Sequence, residues 1–213
     1  MTARAPIDSS PFNELLIVDI GGTVASGYAG KLYADYGARV VNLEPPEGFS
    51  TRHIAPLLDN GTSAIHAYLH ANKQSVCWTD SPLTHPAIVA ADLVILDVST
   101  LPTSLALNDF ETNVCAISWY GLTGPYAGFR GSDASIHALT GLMHGIGETD
   151  GPPIIPTGYQ AQVIGGLSAF NGSLGFLLGR LIEGRERSDA FCLDASIWEA
   201  NMCLTDIGAA MSF

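Results

Sequence analysis

The chain has 213 residues, 47% of them hydrophobic and 14% charged, with 21 acidic against 9 basic side chains and a formal net charge of −12. That length and apolar content suit one domain with a buried core and argue against intrinsic disorder. The acidic excess argues against nucleic acid or an anionic membrane surface as a partner.

Residues 1–12 (MTARAPIDSSPF) contain no apolar run, which predicts a flexible arm and no secretory signal, ahead of a single α/β domain over 13–213. Residues 15–20 (LLIVDI) form the continuous apolar run of a buried parallel strand. A helix is predicted over 25–36, ended by Gly37, and a second strand over 39–43 is closed by Glu44-Pro45-Pro46. Gly21, Gly22 and Gly27 loosely resemble a dinucleotide fingerprint, with Glu44 placed to hold a ribose hydroxyl. GGTVASG lacks the G-x-G-x-x-G spacing, however, so a nicotinamide cofactor is weakly supported and a Rossmann-like nucleotide-binding module stands only as an alternative.

Further along, a helix is expected over 62–69 and a strand over 76–78. His66 and His70 are spaced i, i+4 but no acidic third ligand follows at metal spacing, so no metal is predicted. Buried strands are read over 91–98 and 114–119. The four cysteines (Cys77, Cys115, Cys192, Cys203) form no CxxC pair and lie in apolar segments, which predicts buried free thiols in a reducing cytoplasm. Residues 117–167 are the stretch around which a chemical site should form. Glycine-rich loops over 121–131 and 145–158 flank a short helix that SDAS should start near Asp133, and they lead to Gln162 just before a Gly-Gly pair. An apolar helix over 163–181 follows; its segment 170–182 is too short to span a bilayer. A strand over 190–197 and the start of another helix complete the pattern.

The ordered run YGLTGPYAGFRGSD…ALTGLM…GETDGPP resembles the central signature of the family III CoA-transferases, which include formyl-CoA and carnitine-type CoA-transferases and the related α-methylacyl-CoA racemases. YGARVVNLEPPEG, ANKQSV and AFCLDASI are similar to further segments of that family. The resemblance implies a Rossmann-like parallel sheet flanked by helices, the N-terminal part of the family fold without its C-terminal half. It implies CoA or acyl-CoA and a carboxylic acid as substrates, with no permanently bound cofactor. It also implies interlocked dimers, hence a homo-oligomer or a second CoA-transferase-like chain as partner.

Residue by residue, the family's CoA contacts carry over to Thr23, Val24 and Ala25 after the first strand, and to Asn72 and Lys73 beside a phosphate. The E-N-F-R that closes over CoA in the family is Leu96-Asp97-Val98-Ser99 here, which puts an acidic group near pyrophosphate. The family nucleophile is the aspartate of A-D-x-x-x-G, whose carboxylate attacks the acyl-CoA thioester. In this chain the pattern is Ala161-Gln162-Val163-Ile164-Gly165-Gly166, so a neutral amide stands at that seat. The racemase histidine position is Ser132, which removes two-base chemistry there, while Asp133, Glu148 and Asp150 remain as nearby carboxylates. Two readings follow for activity: CoA transfer with another group as nucleophile, or a catalytically silent domain or subunit retained for assembly or regulation.

Overall fold

Six short apolar runs pair in one fully parallel sheet of order β3-β2-β1-β4-β5-β6 in the computed structural model, which describes residues 10–79, 81–146, 148, 150–184 and 190–210. The strands are β1 (Leu16–Asp19), β2 (Arg39–Glu44), β3 (Gln74–Cys77), β4 (Leu93–Asp97), β5 (Val114–Ser118) and β6 (Cys192–Ser196). The helices are α1 (Val24–Asp35), α2 (Ala64–Leu69), α3 (Pro86–Ala90), α4 (Asp133–Leu139), α5 (Gln160–Glu183) and α6 (Ile197–Ala210). Strand reversal between β1 and β4 creates the switch point at which open α/β sheets bind ligands, outside the carboxyl ends of the strands.

Alternation along β1, β4 and β5 divides the core in two. Ile17, Val40, Leu93, Ile95, Cys115 and Ile117 face Ala25, Ala29 and Tyr33 of α1 and Ala161, Ala169 and Phe170 of α5. Val18, Val41, Val94, Leu96 and Ala116 face the other way, toward Ile88 of α3 and Phe110. Both α1 and α5 therefore lie on one face, although β1→β2 and β5→β6 step in opposite directions across the sheet. The two connections must have opposite hands. The α2 segment sits against α1, where a Cβ on Gly27 would meet the Leu69 side chain at 3.3 Å, whereas α3 and Phe110 lie on the far face. Four of the five connections then share a hand. β5→β6 is the one whose hand differs, against the rule that about 98% of such crossovers share the right hand.

That reversal is made possible by glycine. A Cβ at Gly166 would stand 2.5 Å from the Ala25 carbonyl oxygen, and one at Gly165 would stand 2.6 Å from Ile197. α5 thus fits between α1 and the start of α6 only where side chains are missing. Tyr33, Phe12 and Phe170 close the other end of this interface, with the Tyr33 and Phe170 rings 4.8 Å apart, and Tyr33 Oη shares a hydrogen bond of 2.9 Å with Ser173 Oγ.

Several expectations need correction. The expected flexible arm over 1–12 includes Phe12, which packs on the core; residues 1–9 lie outside the described residues. Cys115 is buried, and burial pushes its thiol up to about 12, but Cys77, Cys192 and Cys203 are exposed. Cys77 and Cys192 lie on the edge strands β3 and β6 and Cys203 on α6, while the end of α5 leaves apolar side chains uncovered, including Leu181 and Ile182. α5 runs 24 residues, long and apolar enough by length and composition to cross a membrane, but one side of it is packed on α1.

The glycine contact makes a paired prediction. Gly166→Ala should destabilise the fold by about 1–3 kcal/mol despite the better helix propensity of alanine, because backbone atoms must move. Gly175→Ala, which meets nothing within 4 Å, should stabilise it by about 0.5–1 kcal/mol. Denaturant unfolding of both variants against the parent decides the matter.

Candidate active site

The carboxyl ends of β1, β2, β3 and β4 open onto a cavity of about 370 Å³ lined by Ile20, Pro45, Pro46, Glu47, Trp78, Pro82, Thr100 and Pro102. Its wall is apolar and rigid, with one indole and four proline rings. Thr100 is fixed there by donating to the Gly21 carbonyl at 2.6 Å. This is the place where the strand order reverses, and where a planar ring system would find flat surfaces without opening the sheet.

Thr23, Val24 and Ala25 start α1 beside this crevice. Thr23 caps the helix, its Oγ1 accepting from Ser26 N at 3.3 Å, and the same hydroxyl donates to Asp97 Oδ2 at 2.9 Å. Val24 and Ala25 are buried, so any ligand contact from them passes through the backbone. Asp97 does not face a ligand. It is 2% exposed, and its carboxylate also accepts from Ser99 N at 2.8 Å and Ser99 Oγ at 2.5 Å. Burial raises its pKa, and the bonds from Ser99 and Thr23 oppose that shift. The expected repulsion is therefore replaced by an internal latch between β4 and α1.

Glu44 is equally occupied. Its Oε2 accepts from Arg52 Nε at 2.7 Å and from Phe49 N at 2.9 Å, and its Oε1 accepts from Arg52 Nη2 at 2.6 Å and Ser75 Oγ at 2.5 Å. Burial alone would raise its pKa, but the bonds from Arg52, Ser75 and Phe49 N outweigh it and lower the value from 4.5 to about 2. The bonds fold residues 45–53 back over the first glycine turn. A Cβ on Gly22 would lie 2.5 Å from the Phe49 ring, and Ser50 Oγ donates to the Gly22 carbonyl at 2.9 Å. With its acid engaged and its glycine turn covered by an aromatic ring, the segment is not arranged as a dinucleotide site.

Lys73 is also not the exposed cation the sequence suggested. Its side chain is fully buried, with Nζ donating to the Gly27 carbonyl at 2.8 Å and lying 3.5 Å from Asp19 Oδ2. Burial lowers its pKa and Asp19 opposes that shift. Nζ is also 3.3 Å from His70 Nδ1, which Asn42 Nδ2 approaches at 2.9 Å. Two donors make Nδ1 the acceptor, leaving Nε2–H to donate to Thr51 Oγ1 at 3.2 Å, and Thr51 in turn to donate to His66 Nδ1 at 2.9 Å. Burial, reinforced by the Lys73 charge, holds the His70 pKa down to about 2, so its imidazole stays neutral. The paired histidines thus use these nitrogens inside a protein network. Asn72 adopts a left-handed conformation, φ 65°, and its Nδ2 donates to Asp35 Oδ1 at 3.4 Å. Asp35 ends α1, so Asn72 sits about 16 Å along that helix from Val24 and is not brought to the crevice.

The second loop region meets the first through α5. Ser132 caps α4, with Ser135 completing a capping box. Asp133 does something else: its Oδ1 accepts from Gln162 N at 3.2 Å and its Oδ2 accepts from Gln162 Nε2 at 2.8 Å. Tyr159, the residue that begins α5, supplies no capping side chain, so a carboxylate from α4 takes that role. Gln162 is 9% exposed, and one turn later Gly166 touches Ala25. The first turn of α1 therefore lies beside the second turn of α5, and Gln162 stands one turn further out. Asn201 Nδ2 of α6 reaches the neighbouring Ala161 carbonyl at 3.0 Å. His137 is fully buried, with no hydrogen-bond partner on either ring nitrogen among the described residues, and Ile136 beside it belongs to the core. Glu148 and Asp150 stand exposed on the following loop. The sequence pattern missed the reach of Asp133 to α5 because capping was assigned within α4; an α5 start without its own Ser, Thr, Asp or Asn was the available signal.

Comparison with known proteins places these features. The family model CoA-transferase family III matches residues 12–79 and 114–207. Succinyl-CoA:glutarate CoA-transferase of Mus musculus is 28% identical over 214 residues, covering 93% of this chain and 48% of that protein. Acetyl-CoA:oxalate CoA-transferase of Acetobacter aceti is 26% identical over 230 residues, covering 99% of this chain and 59% of that protein. The crystal structure of a CAIB/BAIF family protein from Brucella suis superposes with a TM-score of 0.81 at 26% identity, over 95% of this chain and 57% of that one. The chain spans about half the length of these relatives.

Two measurements check the electrostatics. Lys73→Met should destabilise the protein by about 3–5 kcal/mol by leaving Asp19 buried without its cation, and Asp19→Asn in the same chain should recover part of that loss. The Glu44 pKa is lower in the fold than its ordinary value, so its contribution is complete above about pH 5 and is lost as pH falls toward 2. Unfolding curves from pH 6 to 2 should show a loss on the order of 2 kcal/mol in the parent, and a flatter profile in Glu44→Gln.

Proposed function

The chain belongs to CoA-transferase family III, and from that membership we propose that it binds acyl-CoA and takes part in transferring CoA between carboxylic acids. The observation that carries this reading is the position of the crevice at the switch point, outside the carboxyl ends of β1 to β4. The adenine end of CoA fits the apolar part of the crevice, between Trp78 and the proline rings, with the backbone of Thr23, Val24 and Ala25 following beyond Ile20 and the glycine turn. From there the pantetheine arm runs toward the start of α5, which brings the thioester to Gln162. Lys73 acts from behind α1 as a buried charge, and Asn72 lies at the far end of that helix, outside this path. The relatives are named for succinyl-CoA with glutarate and acetyl-CoA with oxalate, so dicarboxylic acids are the acceptors to try first.

A second reading has its own observation. Gln162 offers an amide at the family's nucleophile seat, and an amide is a poor nucleophile whose nitrogen does not exchange readily. On that ground the chain would be a silent domain or subunit that binds CoA for assembly or regulation, with a homo-oligomer or a second CoA-transferase-like chain as its partner.

Isothermal calorimetry with CoA and with acetyl-CoA tests the common premise. A saturable heat is expected, weakened about tenfold or more by Trp78→Ala, the size of a lost stacking contact. No heat with either ligand would overturn CoA binding.

A further inference from the structure

We propose that Asp133 is the carboxylate that takes up the acyl group in this chain, with the Gln162 amide holding it in position. The inference rests on the acyl-CoA reading above and deepens it. Asp133 is half-buried rather than sealed, and among the described residues it is the carboxylate bonded to Gln162. A carboxylate has about four acceptor sites, and the two bonds from Gln162 occupy one on each oxygen. Each oxygen keeps a lone pair, while the plane of the group is fixed by two donors from one residue. Of the other acids near the strand ends, Glu47 lines the crevice proposed for the adenine end, and three are committed elsewhere. Asp97 is sealed by Ser99 and Thr23, and Glu44 by Arg52, Ser75 and Phe49 N. Asp194 accepts from Ser118 Oγ at 3.2 Å and Leu122 N at 2.7 Å. The acid lost at position 162 is thus matched by an acid one hydrogen bond away.

The chemistry balances without any further reagent. An Asp133 oxygen attacks the thioester carbonyl of acyl-CoA; the new C–O bond forms, the C–S bond breaks, and CoA leaves as thiolate. The thiolate attacks the Asp133 carbonyl of the mixed anhydride, expelling the donor acid as its carboxylate and leaving Asp133 as a CoA thioester. The acceptor carboxylate attacks that thioester and again releases thiolate. The thiolate then attacks the acceptor's acyl carbon, giving the new acyl-CoA and restoring the Asp133 carboxylate. No proton or electron is gained or lost. Gln162 moves no proton: it orients the nucleophile and lends an amide N–H to the oxygen that bears charge in turn.

The experiment incubates the full chain with succinyl-CoA or acetyl-CoA, adds hydroxylamine, and maps the hydroxamate by peptide mass spectrometry, with CoA binding followed by calorimetry on the same samples. Label on Asp133, reduced tenfold or more in Gln162→Ala and absent in Asp133→Asn, is the expected result. Label on another carboxylate, or none while CoA still binds, overturns the assignment and leaves the acyl-CoA reading standing. Loss of CoA binding in the parent chain overturns both. If Asp133→Asn does not fold, the hydroxamate map of the parent chain decides the assignment by itself.

Discussion

Close contact between α1 and α5 governs the molecule. Gly166 sits against the Ala25 carbonyl, and this approach is available only because the β5→β6 connection runs on the same sheet face as β1→β2. With the hand of the other four connections, α5 would lie on the opposite face and could not stand beside α1. The connection as it runs needs glycine at 165 and 166, where side chains would strike Ile197 and Ala25. In exchange it brings two helix starts together at the carboxyl edge of a sheet, where backbone N–H groups and positive helix ends face the ligand side. The candidate site is thus a product of topology before it is a product of side chains.

Buried polar groups form a second organising layer. Asp97, Glu44, Lys73 and His70 all lie near the strand ends, and each is matched by partners inside the fold. They set the shape of the crevice by fixing loops: Glu44 draws Phe49 over the glycine turn, and Asp97 ties β4 to the cap of α1. What lines the crevice is largely apolar, with Glu47 and Thr100 as its polar side chains. Such a lining recognises an extended ligand with a flat ring by shape more than by charge, which agrees with an acidic protein that offers few exposed cations.

The strands and helices were legible in the sequence because their cues are local. LLIVDI announces a buried strand, Gly37 a helix stop, and SDAS a helix start, and the structure places elements at each. The family was legible as well, through long ordered segments. Side-chain partnerships were not. Lys73 reads as a solvated cation beside a phosphate, yet its partner Asp19 lies 54 residues away and only the fold brings them together. Asp133 reads as a cap for its own helix, yet it serves one that starts 27 residues later. The hand of the β5→β6 connection was equally hidden, since a run of glycines signals close packing without saying on which face of the sheet.

Sealing Lys73 bears on how the protein would meet a reactive acyl donor. An amine with a lowered pKa is uncharged more often than a surface lysine, and an uncharged amine is what reactive thioesters modify. Enclosed beneath α1, it is out of their reach as long as that helix stays seated. Chemical damage at this lysine would record how often the helix lifts, a clock of breathing written in acyl groups.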